Sequence, residues 1–204
     1  MRKGFVTFAD ILGWKGIWLK ENPKTMAEKL ENILQNLRKT ITTDNINISL
    51  ISDTFVIYSS FEEDIEKEFE IHTAILLELI NLNIEQKLLI RGATSYGEYF
   101  VSSQKLTFVG PAIDEAASWH EKSDDISIFL TPSALVKVKN FISVTKWHDK
   151  ELNSKSVKFK TFILNWKQEK HITLFDTIFE NNSPITPEIS GKYINTWRYL
   201  NETK

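Results

Sequence analysis

The chain has 204 residues, 42% of them hydrophobic, which is enough for one globular core and too short for several domains. Its 25 basic residues are balanced by 27 acidic ones, so no excess of positive charge asks for nucleic acid. Cysteine is absent, which excludes disulfides, thiolate metal sites and a cysteine nucleophile. No apolar run reaches the length of a membrane span, and Met1-Arg2-Lys3-Gly4 leads into a strand, so a soluble cytoplasmic protein with no membrane partner is expected.

Gly4 to Ala9 alternates well enough to be a buried strand and ends at Asp10. A carboxylate there is costly unless its charge is compensated. Gly13 turns the backbone, and a helix-like segment runs from Lys15 to Lys20. This combination offers a carboxylate for a metal and backbone N–H groups for phosphate, although Asp10 would serve equally as a helix cap. Asn22 then caps a helix with Pro23 at its first position, and Met26, Leu30, Ile33, Leu34 and Leu37 recur at helical spacing to about Thr40. Ile46, Ile48 and Leu50 alternate with polar residues, Ser52-Asp53 interrupts, and Phe55 to Tyr58 resumes, which reads as a tight hairpin with an aspartate at its tip. Ser-Asp is not a preferred hairpin pair, so something besides the turn bears on the choice of Asp53.

A second helix is expected from Glu62 to Asn81, with His72 on its apolar stripe as a core histidine. Leu88 to Phe100 reads as a strand pair. Arg91 inside it needs an anionic partner or a route to the surface, and Gly92 and Gly97 indicate close approach of another backbone or a ligand. A strand from Leu106 to Val109 leads through Gly110-Pro111 into a helix from Ala112 to about Lys122. Ile126 to Leu130 is a strand, Thr131-Pro132 starts a helix to about Phe141, and Val157 to Trp166 is a long strand. Ile172 to Phe179 fits strand or helix, and Thr186 caps a last helix that carries Ile194, Trp197 and Leu200. Helices interleaved with a hairpin and non-adjacent strands indicate an α+β sandwich of the ferredoxin-like kind, with helices on one face of the sheet.

In a βαββ unit the first strand lies beside the hairpin, which brings Asp10 and Asp53 towards one cleft. Two carboxylates so placed can hold a pair of divalent cations for a phosphoryl displacement. Magnesium sites commonly use one or two carboxylates and take their other ligands from phosphate and water.

Residues 5–122 resemble the class III nucleotidyl cyclase domain. The family's first strand ends in Phe-x-Asp-Ile-x-Gly-Phe, matched by Phe8 to Trp14, and its second metal aspartate lies on the hairpin, matched by Ser52-Asp53. Arg91 to Gly97 approximates its Arg-x-Gly-x-x-x-Gly strand, and Gly110 to Ser118 its Gly-x-x-Val-Asn-x-Ala-x-Arg segment. The departures fall in the pocket. Ser49 stands where purine cyclases hold a base-reading lysine, Thr107 at the partner base-reading position, and Asp114 and Ser118 in place of an asparagine and an arginine that orient ribose and stabilise the transition state. The strings Phe8–Trp14, Ser52–Thr54, Arg91–Glu98 and Gly110–Ala116 are most similar to the bacterial antiphage pyrimidine cyclases of Pycsar systems.

This resemblance implies a class III cyclase fold, with a mostly antiparallel sheet and flanking helices, in one domain over 1–204 that carries a C-terminal strand and helix in 157–204. It implies a cyclase that converts UTP, or less readily CTP, to the 3′,5′-cyclic monophosphate and pyrophosphate. The cofactors would be two divalent cations, Mg²⁺ or Mn²⁺, with Asp10, Ile11 and Asp53 as metal positions. Backbone N–H groups of Ile11, Leu12, Gly13 and Trp14 would hold phosphates, Arg91 would contact phosphate or a dimer partner, and Ser49, Thr107, Asp114 and Ser118 would line the substrate. The partners implied are a nucleoside triphosphate, a second copy of the chain with the sites at the interface, and a separate effector activated by the cyclic nucleotide. A degenerate module of the same fold that binds nucleotide without turnover is the alternative, because the transition-state arginine is missing at Ser118. Replacing Asp10 or Asp53 by Ala is expected to abolish turnover and leave the fold intact.

Overall fold

Strand β1 (Arg2–Ile11) is the middle of the molecule, and its alternation sends one set of residues to each face of the sheet. The computed structural model describes residues 1–60, 64–102, 107–154, 157–181 and 187–201. Helices α1 (Trp14–Ile17) and α2 (Pro23–Thr40) precede the hairpin β2 (Ile46–Ile51) and β3 (Thr54–Ser59). Then come α3 (Ile65–Glu85), β4 (Ile90–Val101), β5 (Phe108–Val109) and α4 (Pro111–Trp119), which runs into a 3₁₀ turn at His120–Lys122. The remainder is β6 (Ile128–Leu130), α5 (Pro132–Val138), β7 (Trp147–Ser154), β8 (Val157–Leu164), α6 (Glu169–Asn181) and α7 (Pro187–Asn201).

The strands form one sheet in the order β2-β3-β1-β4-β6-β8-β7, with β5 paired to β4. Pairing is antiparallel except between β4 and β6. Phe5, Ala9 and Ile11 of β1 face a large core closed by Leu30 and Ile33 of α2, Leu76 and Leu79 of α3, Phe175 of α6 and Leu200 of α7. Val6 and Phe8 face the other way, onto a smaller cluster that includes Ala112, Ile113 and Ala116 of α4. Helices therefore flank both faces of the sheet, which corrects the expectation of one helical face. The α4 stripe is short and built of alanines, so it can lie close to the strands.

Most of the expected elements form. The Asn22 side chain accepts from the N–H of Thr25 and caps α2 as its sequence demands. His72 is fully buried, as expected of a core histidine. The expected strand pair over Leu88 to Phe100 is one long strand, Ile90–Val101: the chain does not turn at Gly92, where a Cβ would lie 2.5 Å from the Phe8 carbonyl oxygen. Gly97 makes no such approach, since a Cβ there would meet Ala112 at an ordinary 3.6 Å. The closest approach belongs to Gly4, where a Cβ would fall 1.7 Å from the Ser59 carbonyl oxygen. Ile172 to Phe179 is helical, within α6. Strand β7 was not expected, because Trp147 and Leu152 are the only large apolar residues in its polar run; it forms through an eight-residue register with β8. Glu62, Leu106 and Thr186, three positions at expected element starts, lie outside the described residues. Among the described residues no helix is long and apolar enough to cross a membrane.

Candidate active site

Asp10 is paired in register with Thr54 of β3 on one side and Arg91 of β4 on the other. Its even position turns the side chain to the face that α4 covers, where it is 7% exposed. A carboxylate this buried needs a counter-charge, and Arg91 supplies it through two bonds, Nε to Oδ1 at 3.0 Å and Nη2 to Oδ2 at 3.1 Å. The same guanidinium reaches the Glu121 carboxylate at 3.4 Å and donates to the Glu121 carbonyl at 3.4 Å. Arg91 thus finds the anionic partner its strand position requires, and that partner is the candidate metal aspartate.

Asp53 sits half-buried in the turn between β2 and β3. Ser52 before it takes a left-handed conformation, φ +58°, which costs a residue with a Cβ about 1–2 kcal/mol. The turn is anchored by the Ile11 N–H, which donates to the Asp53 carbonyl at 3.1 Å. Asp53 is therefore held directly beside the end of β1, as the βαββ reading requires.

The phosphate loop is narrower than expected. Besides the Ile11 bond, the Leu12 N–H donates to the Leu89 carbonyl at 2.7 Å, so neither group is free for a ligand. Only Gly13 and Trp14 retain N–H groups with no hydrogen bond among the described residues. The helix after them is four residues long, not the expected Lys15 to Lys20, and Trp14 packs edge-on against Trp18 with ring centroids 4.9 Å apart. Gly13 itself is left-handed at φ +81°, a conformation that needs glycine.

Of the expected substrate positions, Thr107 lies far from Asp10. Ser49 lies on β2, in register with Val56, and Tyr58, two residues on, meets Phe108 at 5.9 Å. Thr107 is exposed beside Ser102, the two exchanging bonds of 3.1 and 3.2 Å. Along β4 that pair stands eleven residues from Arg91, on the order of 30 Å at the usual strand rise. Asp114 and Ser118 are exposed on the outer side of α4. A cleft of about 530 Å³ lies at this far end, lined by Arg2, Asn47, Tyr58 and Ser102 among others.

Two residues that the sequence reading passed over do join Asp10. One ligand atom each from Asp10, His120 and Glu121 lies within 4.8 Å of the others. The signal was a histidine and a glutamate two and three residues after the Gly110–Ser118 motif, but only the 3₁₀ turn brings them over β1. The Asp10 carboxylate, with Asp53 next to the strand end, offers oxygen donors that suit Mg²⁺ or Mn²⁺, and the buried Asp10 requires a cation; these two residues fit a divalent ion.

No protein-family model matches the sequence, and no curated protein matches it. Solved structures do. The catalytic core of a rhodopsin-guanylyl cyclase with converted specificity, in complex with ATPαS, superposes with a TM-score of 0.64 at 16% identity, covering 80% of this chain and 96% of that one. The adenylyl cyclase CyaB from P. aeruginosa gives 0.58 at 18% identity over 83% and 97% of the two chains. The guanylate cyclase domain of RhGC from Catenaria anguillulae, in complex with GTP, gives 0.61 at 16% identity over 80% and 96%. The fold is that of class III nucleotidyl cyclase domains. This chain has an acid at the end of its central strand and another on the adjoining hairpin, and Arg91 pairs with the first.

Proposed function

We propose that the protein is a class III nucleotide cyclase that acts on a pyrimidine triphosphate, UTP ahead of CTP. What supports the reading is that the backbone of Asp53 is tied to the end of β1, beside Asp10, through the Ile11 N–H, in a fold shared with adenylyl and guanylyl cyclases. The reaction is an in-line displacement: the ribose 3′-hydroxyl attacks the α-phosphorus, a P–O bond forms, and pyrophosphate leaves. Divalent cations, Mg²⁺ or Mn²⁺, held by Asp10, Asp53 and the Ile11 backbone would lower the hydroxyl's pKa and neutralise charge on the phosphates.

The chain's own residues do the positioning. Arg91 neutralises Asp10 until a cation takes its place, and the freed guanidinium is then a positive group at the phosphates. Gly13 and Trp14 offer the two N–H groups left for phosphate oxygens. The span between Arg91 and Thr107 is longer than one nucleotide, which supports a homodimer in which one copy supplies the metal end and the other supplies Thr107. Ser49 and Thr107 are short hydroxyl residues where purine cyclases carry a lysine and an acid, so the usual purine readers are missing. The further step to a pyrimidine, and to a second messenger that activates a separate effector in antiphage defence, rests on the resemblance of the four motif strings.

Equimolar ATP, GTP, CTP and UTP with Mn²⁺, followed by mass spectrometry of the products, tests this. Cyclic UMP as the main product is expected. Cyclic AMP or cyclic GMP would refute the pyrimidine reading, and cyclic CMP would refute the choice of base. No cyclic product from any triphosphate would favour the second reading, a nucleotide-binding module without turnover, which the arginine seated on Asp10 and the serine at 118 also support.

A further inference from the structure

His120 and Glu121 have no part in the two-aspartate reading, yet they face the same carboxylate. Asp53 reaches the end of β1 from the β3 side, whereas His120 and Glu121 descend on Asp10 from the 3₁₀ turn that lies over β4. The ring of His120 is already oriented. Its Nδ1 lies 2.6 Å from the Ala117 carbonyl oxygen, a contact in which Nδ1 must donate. In the neutral ring that bond leaves the lone pair on Nε2, and metal-ligating histidines are oriented by this kind of hydrogen bond from the other nitrogen. The Phe8 ring, 6.3 Å away, borders the imidazole. The position also already holds a cation, because the Arg91 guanidinium bridges Asp10 and Glu121.

We propose that Asp10, His120 and Glu121 form a binding site for a divalent transition-metal ion of the Zn²⁺ type, set apart from the Asp10–Asp53 pair by its imidazole; the proposal rests on the reading of Asp10 as a metal ligand. Two carboxylates and a neutral imidazole carry a charge of −2, which balances a divalent ion. Imidazole selects Zn²⁺ and its neighbours, whereas Mg²⁺ takes an all-oxygen shell. The ion and Arg91 compete for the same carboxylates, so loading the site releases the arginine from Asp10.

Calorimetric titration of the nucleotide-free protein with Zn²⁺ and with Mg²⁺ tests the site without any turnover. The wild type is expected to bind Zn²⁺ more tightly than Mg²⁺ at one saturable site. His120→Asn keeps a donor for the Ala117 carbonyl but loses the imidazole, and Glu121→Gln keeps the shape of an exposed side chain; each is expected to weaken Zn²⁺ by about tenfold or more. Asp53→Asn is expected to leave Zn²⁺ binding within about twofold, since it removes no donor from this set. Thermal melting in chelator confirms that the variants are folded. Zn²⁺ binding unchanged in His120→Asn would overturn the proposal, as would an equal loss in Asp53→Asn. A failure of the cyclase reading is separate, because it shows only in the product assay and leaves the titration unaffected.

Discussion

One sheet carries two polar clusters, and they lie on opposite faces of the same strand. On the thick side, Thr7 points under α3. Its hydroxyl meets His72 Nε2 at 2.8 Å and the Thr94 hydroxyl at 2.7 Å. His72 Nδ1 meets the Ser59 hydroxyl at 3.0 Å, and Ser59 donates to the Glu68 carboxylate at 2.8 Å, which also accepts from the Phe5 N–H at 3.2 Å. All of these side chains are buried, and each is held by its neighbours. On the α4 side, Asp10, Arg91, His120 and Glu121 form a charged cluster whose outer member, Glu121, has a side chain 62% exposed. The sealed network fixes the sheet to α3 and has no room for a ligand. The open one has exchangeable partners, because Arg91 occupies a place that another cation can take.

The largest effect that would separate the two faces is on turnover. Asp10→Asn and Asp53→Asn, which keep shape and remove charge, are expected to cut cyclase activity by at least about 10³-fold, the loss of several kcal/mol of charge stabilisation. Product formation in Mn²⁺ near the wild-type level in either variant would break the assignment of the open face. His72→Leu is expected to lower stability by about 2 kcal/mol in urea unfolding, since it removes one hydrogen-bond partner from each of the Thr7 and Ser59 hydroxyls and leaves them bonded only to Thr94 and Glu68, while activity per folded molecule is retained.

Asp10→Ala sharpens the contrast further. It is expected to leave the fold intact at a cost in stability, because Arg91 loses its bidentate partner and keeps only the exposed Glu121. A loss of about 2 kcal/mol is expected by urea unfolding, whereas Asp53→Ala, half-buried in a turn, is expected to be nearly neutral.

The smallest effect is the pH slope of stability. Burial pushes His72 down to about 3 from an ordinary 6.5, so the unfolded chain binds a proton there that the folded chain refuses. Stability contributed by the neutral ring is complete above about pH 6.5 and is lost as pH falls towards 3. Asp125 has the opposite sign. Burial raises it to about 6, against the opposing pull of Lys150 at 2.9 Å, and its contribution is complete below about pH 3.8 and lost as pH rises through 6. Melting curves between pH 6.5 and 4 should therefore flatten in His72→Leu, where the Asp125 trend remains alongside that of His171, which burial also lowers. An unchanged slope would mean that His72 is not the group responsible.

What the sequence determined by itself is what short-range chemistry specifies. The Asn22-Pro23 cap, the apolar spacing of α2 and the alternation that breaks at Ser52-Asp53 each act within a few residues, so they read directly as a helix and a hairpin. The acid at the end of the first strand and its relation to Asp53 followed from the βαββ order, and the class III fold from the resemblance of the motif strings. The tertiary structure alone decided the rest. Arg91 reaches Asp10 across 81 residues because antiparallel register sets the two opposite each other, and no local pattern encodes that register. The same register commits the Ile11 and Leu12 N–H groups to carbonyls, which a linear reading leaves open for phosphate. Strand β7 exists because β8 offers it an edge, despite its polar composition. His120 and Glu121 become neighbours of Asp10 only when α4 packs on the second face of the sheet, since a short alanine stripe records that a helix can lie close to strands but not which face it covers.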